Sequence, residues 1–264
     1  MAERSIIVTG SKGGAGTTTV ALNLAMQVAQ LTNKRTALLE LARPFGQIAL
    51  MLDIEPRFTL LDALDRGERL DEALLPSLMT RHKIGVEILM GARHLALNAD
   101  QRQRATIEGL LHILRLAQAV YDFVIVDLGF VNAAEWARVL HCADALLLVS
   151  EPSELALGML ERYLKAVDPA GLERDRFHIV INRSRQNDNA AISQHEARLR
   201  QTFFAKLPND YRQLSEAVKL GVPLTTSRNN PLVERYREMA SRLIGSPLEN
   251  AKQLSSPEVT LCRA

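Results

Sequence analysis

The sequence predicts an α/β fold built on a mostly parallel, twisted sheet of about seven to eight strands, with helices on both faces. Short apolar runs alternate along the chain with segments of helical periodicity, as crossover connections between parallel strands require. Several of these runs are unbroken, including Phe123–Val126 and Leu146–Val149. Unbroken apolar runs are typical of strands that are buried on both faces.

Seven short segments carry the strand pattern. They are Ile6–Thr9, Thr36–Leu41, Val86–Met90, Phe123–Asp127, Ala145–Ser150, His178–Asn182 and Phe203–Lys206. Helical periodicity follows the first strand, where Val20 and Leu31 bound an apolar stripe, and it recurs over approximately 103–120. A last helix is expected to begin at Pro231 and to stop at Gly245.

Length and composition predict one α/β domain over 1–245, followed by a polar tail, 246–264, which we expect to be disordered. The formal net charge of +2 supplies no strong field for nucleic acid or anionic lipid. The two cysteines have no disulfide-framework spacing. No apolar run approaches the roughly 18 residues of a membrane-spanning helix, and the N-terminus lacks a signal-peptide pattern. We therefore expect a cytoplasmic protein that reaches a membrane or cell pole only through partners.

The most informative segment, Ile6–Thr19, combines a strand, a glycine-rich turn and the start of a helix. Three glycines allow backbone N–H groups to converge on anionic oxygens, and the helix dipole adds partial positive charge. Thr18, one step into the helix, is placed to ligate Mg²⁺. The general pattern G-x-x-x-x-G-K-[ST] is not matched, because Ser11 replaces its first glycine and Thr17 replaces its lysine. By itself, the loop is also compatible with a turn that binds no ligand.

The run Ser11–Gly16 resembles the deviant Walker A motif, KGGxGK[ST], of the MinD/ParA ATPases. In that superfamily the early lysine, here Lys12, reaches across a face-to-face dimer to the partner's phosphates. The later lysine, here Thr17, holds the β- and γ-phosphates within one subunit. The resemblance implies a homodimer that binds ATP and Mg²⁺, with the nucleotide held by Lys12, Gly13, Gly14, Ala15, Gly16, Thr17, Thr18 and Thr19.

Three further places carry site residues. Asp127 ends an apolar strand as the Walker B aspartate does, and would hold Mg²⁺ through water, although a strand-ending turn is the alternative. In the resembling proteins the Asn of an Asn-Arg pair recognises adenine. Here Asn182 and Arg183 follow a late strand, and the alternative for Asn182 is a helix or turn cap. Pro208 and Asp210 fall where the family's base-contacting loop lies.

The family usually carries Asp-x-Asp after strand two, and the second carboxylate aligns the attacking water. Alignment on Phe45 and Gly46 places Glu40 at the first position and Ala42 at the second. Alanine can neither orient water nor accept a proton. With Thr17 at the lysine position as well, nucleotide binding is expected to survive more readily than turnover, so the chain is at most a weak ATPase.

A threonine in place of the second lysine is common in the TadZ/CpaE-type proteins of tight-adherence pilus assembly. The segments Arg69–Leu74 and Ala217–Leu224 are also similar to that group. Such proteins usually carry a receiver-like domain, whereas about five residues precede the first strand here. A shortened member and a sibling group are therefore both open, and regulators of cellulose secretion share the tendency to a GT loop.

The resemblance implies a nucleotide-dependent dimeric scaffold with a protein client in a pilus or secretion system. Two alternatives are an active ATPase of division-site placement or DNA partition, and a structural protein with an empty site. Trp136 either faces a partner or packs in the core.

Overall fold

The computed structural model describes residues 4–42, 46–92, 106–167, 172, 176–224 and 230–245. Some predictions fall on other positions. The first residues of the helix expected from 103, the alignment position Phe45 and the tail 246–264 lie outside the described residues.

Within the described residues, eight strands form one sheet. They are β1 (Ser5–Gly10), β2 (Thr36–Glu40), β3 (Thr80–Arg81), β4 (Val86–Leu89), β5 (Phe123–Gly129), β6 (Ala145–Ser150), β7 (Phe177–Ser184) and β8 (Ala205–Pro208). Their order across the sheet is β3-β4-β2-β5-β1-β6-β7-β8. Every neighbouring pair is parallel except β3 with β4. The predicted fold class is confirmed, and the central position of β1 places the glycine-rich turn in the middle of one sheet edge.

Ten α-helices lie in the described residues. They are α1 (Thr17–Thr32), α2 (Ile48–Met51), α3 (Leu60–Arg66), α4 (Leu75–Leu78), α5 (Ile107–Val120), α6 (Ala133–Leu140), α7 (Glu154–Val167), α8 (Asn189–Leu199), α9 (Tyr211–Lys219) and α10 (Pro231–Leu243). The start of α10 follows the prediction, since Pro231 occupies its first turn and Asn230 caps it by accepting the Leu232 N–H. Gly245 follows the helix with φ of 64°, where a residue without a side chain fits best.

Two apolar clusters cover the two faces of the sheet. Successive side chains of β1 alternate between the two clusters: Ile7 belongs to one, and Ile6 and Val8 belong to the other. Each fully buried aliphatic side chain contributes about 1.5–3 kcal/mol to stability. Trp136 is buried in the first cluster, so it packs in the core rather than facing a partner.

One strand prediction needs correction, and one strand was not predicted. The expected strand Phe203–Lys206 lies two residues later, because pairing with β7 begins at Ala205 opposite Val180. Phe203 is instead buried in the core, and its N–H donates to the Glu196 carboxylate. The two-residue β3 was missed, since an element this short shows no alternation of polar and apolar residues.

The Glu40 carboxylate joins the ends of β2 and β4 to the start of α2. Its Oε1 accepts the N–H groups of Gln47 and Ile48 at 2.5 and 2.9 Å, and its Oε2 accepts the Gly91 N–H at 2.8 Å. Burial raises the pKa of Glu40, and these three backbone hydrogen bonds oppose the rise. A Cβ on Gly46 would lie 2.8 Å from the Gly91 Cα and 2.4 Å from Oε2. Glu40 therefore holds these backbone segments together, and the resulting close approach of Gly46 to Gly91 leaves no room for a side chain at position 46.

We expect Gly46→Ala to lower the free energy of unfolding by about 1–3 kcal/mol, the usual range for overpacking. Gly158, in α7, is the matched control, because an added Cβ there meets nothing within 4 Å. Gly158→Ala should raise stability by about 0.4–1 kcal/mol. Urea unfolding of both variants measures this, and an unchanged midpoint for Gly46→Ala would contradict the tight junction.

Candidate functional site

The turn between β1 and α1 presents backbone N–H groups to a cleft. Gly14 and Gly16 have φ of 79° and 91°, values that favour glycine, and Gly16 caps α1 without any side-chain hydrogen bond. A Cβ added to Gly13 or Gly14 would meet nothing within 4 Å, so the outer side of the turn is open. Helix N-terminal N–H groups and the helix dipole favour an anion at this place.

The cleft over this turn has a volume of about 440 Å³ and collects residues from four parts of the chain. The lining consists of Lys12, Gly13, Gly14, Gly16, Thr17, Thr18, Thr19, Ala42, Gln47, Gly129, Phe130 and Arg183. These parts all follow the carboxyl ends of parallel strands, where open α/β sheets place their ligands. Most of the predicted nucleotide-binding residues are therefore together, with the predicted but buried Ala15 beneath them.

Ser11 fits the position where the general pattern has glycine. Its N–H donates to the Val149 carbonyl at 2.8 Å, so the turn begins as a continuation of the β1–β6 ladder. Its buried hydroxyl donates to the Ser150 hydroxyl at 2.9 Å, which donates in turn to the Ala156 carbonyl at 3.2 Å. The extra polar group is thus satisfied, and the turn keeps its shape without that glycine.

Asn182 lies beneath the turn and braces it. Its Nδ2 donates to the Ala15 carbonyl at 2.9 Å, and its Oδ1 accepts the Arg183 N–H at 3.0 Å. A Cβ on Gly16 would lie 2.3 Å from Nδ2. The side chain is 6% exposed and lies outside the cleft lining. Recognition of adenine by this amide therefore remains a prediction.

Pro208 and Asp210 are not brought into the cleft lining. Pro208 ends β8, and Asp210 caps α9 by accepting the Gln213 N–H at 3.2 Å. The other Asp210 oxygen accepts from Asn230 at 3.4 Å. Because this carboxylate caps a helix, a base contact by the segment remains a prediction.

The Asp127 carboxylate is fully buried at the carboxyl end of β5. Its Oδ1 accepts the Gly129 N–H at 3.0 Å, while its buried Oδ2 has no hydrogen-bond partner among the described residues. Burial raises the pKa of Asp127 to about 6; the nearby Thr18 hydroxyl and the Gly129 N–H lower it, whereas the charge of Glu40 raises it. Glu40 is its register partner on β2.

The unpartnered Asp127 oxygen is of the kind that binds a divalent cation, whereas both Glu40 oxygens are bonded to backbone N–H groups, and Asp127 itself lies outside the cleft lining. Oxygen ligands of this kind, with a hydroxyl and water, are those that Mg²⁺ prefers. Thr18 and Asp127 would hold the ion, which would neutralise charge on bound phosphates. One Asp127 oxygen closes a turn by accepting the Gly129 N–H, and the other oxygen is left for the predicted ion.

Lys12 and Arg183 share one carboxylate at the rim of the cleft. The Lys12 Nζ lies 2.7 Å from one oxygen of Glu151, and the Arg183 guanidinium donates to the other oxygen. Partial burial raises the pKa of Glu151, but the hydrogen bonds and charges of Lys12 and Arg183 outweigh it and hold that pKa below its usual range. Glu151 was not among the site residues predicted from the sequence. Its position directly after the apolar strand β6 was the available signal.

Thr17 and Ala42 bring no charge to the cleft. The Thr17 side chain is 6% exposed, and its hydroxyl lies 2.8 Å from the point where a Cβ on Gly10 would sit. The Ala42 Cβ is 3.3 Å from the corresponding point on Gly129. Both residues line the cleft, so a larger polar side chain at either position would contact a bound ligand or the neighbouring lining residues.

Comparison with known proteins agrees with this geometry. Residues 3–175 match the family model AAA_31, described as an AAA domain. The septum site-determining protein MinD of Thermotoga maritima is 22% identical over 254 residues, 93% of this chain and 90% of that protein. The chain belongs to the AAA domain family and is MinD/ParA-like.

Solved structures share the fold of this MinD/ParA-like chain. A ParA family ATPase from Chlorobium tepidum has a TM-score of 0.81 at 21% identity, covering 90% of this chain and 99% of that one. MinD from Pyrococcus horikoshii, complexed with Mg-ADP, has a TM-score of 0.71 at 19% identity, with coverage of 90% and 95%. Among the described residues of the MinD/ParA-like chain, every helix is too short or too polar to cross a bilayer.

We expect Asp127→Asn to stabilise the metal-free protein by an amount that grows as pH rises from 3.8 to about 6 and then levels off. The folded-state pKa of Asp127, about 6, is above its ordinary value of 3.8. The folded state is therefore penalised once the carboxyl must ionise, by up to about 3 kcal/mol for two pKa units. Thermal or urea unfolding in a chelator at several pH values measures the difference between variant and wild type.

Asp122→Asn is the control, because Asp122 is exposed at the other end of β5 and accepts the Arg35 N–H. This control should show no gain that grows with pH. A pH-independent effect of Asp127→Asn would contradict the penalty on the buried charge.

Proposed function

We propose that this MinD/ParA-like chain is a nucleotide-gated scaffold. Two copies bind Mg-ATP between them, hydrolysis is weak or absent, and the dimer positions a protein client. The observation that carries the proposal is the placement of Lys12. Its side chain is 22% exposed at the cleft rim, and its ammonium is held by the exchangeable Glu151 carboxylate.

A rim cation of this kind is available to a second copy that faces the cleft. Its bond to Glu151 is charge-assisted, as a bond to phosphate would be, so one anion can replace the other at modest net cost. Lys12 then reaches the phosphates bound by the partner subunit, as the resemblance implies. ATP therefore provides a bridging anion that favours association.

Exposed apolar side chains on the side of the sheet where the parallel strands end support covering of the cleft by a second copy. Leu50, Phe130, Leu155 and Tyr211 follow the carboxyl ends of β2, β5, β6 and β8, and are between 53% and 77% exposed. Large exposed apolar side chains grouped around a polar site are typical of protein interfaces. Their burial between two copies would contribute a favourable free energy that the single chain leaves unused.

Two departures from the family pattern favour binding over turnover. Thr17 removes a charge-assisted phosphate contact worth about 2–4 kcal/mol, by analogy with truncation of a buried charge pair. Ala42 removes the carboxylate that would align water. Thr18, Asp127 and the backbone N–H groups remain for binding.

The client is proposed from the resemblance to TadZ/CpaE-type proteins, and belongs to a pilus or secretion apparatus. A net charge of +2 favours a protein client over duplex DNA. We place the activity in one domain, 1–245, in the cytoplasm, with partners providing any membrane or polar address. An active ATPase of the division-site, partition or cellulose-secretion kind is the alternative.

We expect Mg-ATP to convert the purified protein from monomer to dimer, and Lys12→Gln to abolish the conversion while each chain still binds nucleotide. Light scattering after size exclusion measures the mass, and calorimetry measures binding. Lys34→Gln is the control, since Lys34 is exposed beyond the end of α1. Binding without any change of mass would contradict gating, and no binding at millimolar ATP would favour the empty-site alternative.

We expect the double variant Thr17→Lys, Ala42→Asp to hydrolyse ATP roughly 10- to 100-fold faster than wild type, because it restores phosphate charge and water alignment. Steady-state phosphate release measures this, with each single variant as a control. An unchanged rate would mean that Thr17 and Ala42 are not the cause of weak hydrolysis. A wild-type rate as high as that of the double variant would favour the active-ATPase alternative.

A further inference from the structure

Arg183 is the second cation on the cleft, and its task is separable from that of Asn182. The resemblance implies that Asn182, the first of an Asn-Arg pair, recognises adenine, and that Arg183 also contacts the nucleotide. Here only Arg183 lines the cleft, whereas Asn182 lies beneath the glycine-rich turn. The two side chains therefore face different surroundings.

The cleft has a deficit of positive charge within one subunit. Thr17 is uncharged and mostly buried. Among the described residues that line the cleft, the cations are Lys12 and Arg183. In the proposed dimer Lys12 serves the partner's phosphates. Arg183 is then the lining cation left to neutralise phosphates bound by its own chain.

The backbone conformation of Arg183 is linked by hydrogen bonds to the glycine-rich turn. Its φ of 58° lies in the left-handed region, which costs a non-glycine residue on the order of 1–2 kcal/mol. This conformation is held by the Arg183 N–H bond to Asn182, whose amide is bonded to the Ala15 carbonyl. The start of the arginine side chain is thus positioned by the turn that would hold the phosphates.

Glu151 shows where the guanidinium can bind an anion. One carboxylate oxygen bonds to Lys12 and the other to Arg183. The guanidinium fork suits phosphate oxygens as well as carboxylate oxygens. Both cations therefore already converge on one anionic group at the edge of the cleft.

We infer that Arg183 binds the phosphate chain of the nucleotide in its own subunit and supplies the charge that Thr17 lacks. On binding, phosphate oxygens replace Glu151 as its partner. This inference rests on the proposed function, since it requires a nucleotide in this cleft.

The test compares ATP with tripolyphosphate, which has the phosphate chain but no base. Arg183→Gln should weaken both ligands roughly 10- to 100-fold, the range of one charge-assisted hydrogen bond. Arg183→Lys should retain part of the affinity. Arg198→Gln is the matched control, since Arg198 is 52% exposed, against 51% for Arg183, and pairs with Glu161 away from the cleft. Calorimetry measures the affinity for ATP, and displacement of a fluorescent ATP analogue measures the affinity for tripolyphosphate.

Thr17→Lys in the Arg183→Gln background provides the second measurement. A lysine at position 17 should restore the affinity for both ligands, which a loss of folding would not permit. A loss confined to ATP would assign Arg183 to the base and overturn the inference, as would equal binding by wild type and Arg183→Gln. Absence of nucleotide binding by wild type would instead remove the proposed function.

Discussion

The uncapped N-terminus of α1 is the constraint around which the site is arranged. A 16-residue helix starts at Thr17 with no side chain bonded to its first N–H groups, directly after a strand buried at the centre of the sheet. Those groups and the helix dipole require water or an anion. The glycines of the turn keep side chains away from them, and Asn182 holds the turn from below through Ala15.

Charge near this terminus is divided between a buried acidic pair and a basic rim. Asp127 and Glu40 form the pair, side by side on β5 and β2 and outside the cleft lining. Glu40 is bonded to backbone N–H groups, whereas one oxygen of Asp127 is unpartnered among the described residues. Lys12 and Arg183 form the rim, and Glu151 supplies their common anion. An unpartnered carboxylate oxygen is of the kind that binds a divalent cation, and the rim cations suit anionic oxygens.

Much of the fold was predictable because buried parallel strands are unbroken apolar runs, and because their carboxyl ends share one edge. Asp127 and the turn residues follow from that rule. Contacts between side chains from different strand ends were not predictable, since they depend on strand order. Glu151 meets Lys12 and Arg183 only because β6 lies between β1 and β7. The inward direction of the Thr17 hydroxyl and the three bonds of Glu40 are also properties of packing.

The exposed apolar side chains that follow the strand ends have a consequence for how such a chain can diversify. Leu50, Leu155 and Tyr211 are each at least 73% exposed, so replacing them removes little packing from the isolated fold. Glu40 and Asn182 lack this freedom because they are buried and bonded to neighbouring backbone groups. These exposed positions can therefore change while the glycine-rich turn and the side chains that brace it stay unchanged. One scaffold can in this way be adapted to different assemblies without rebuilding its interior.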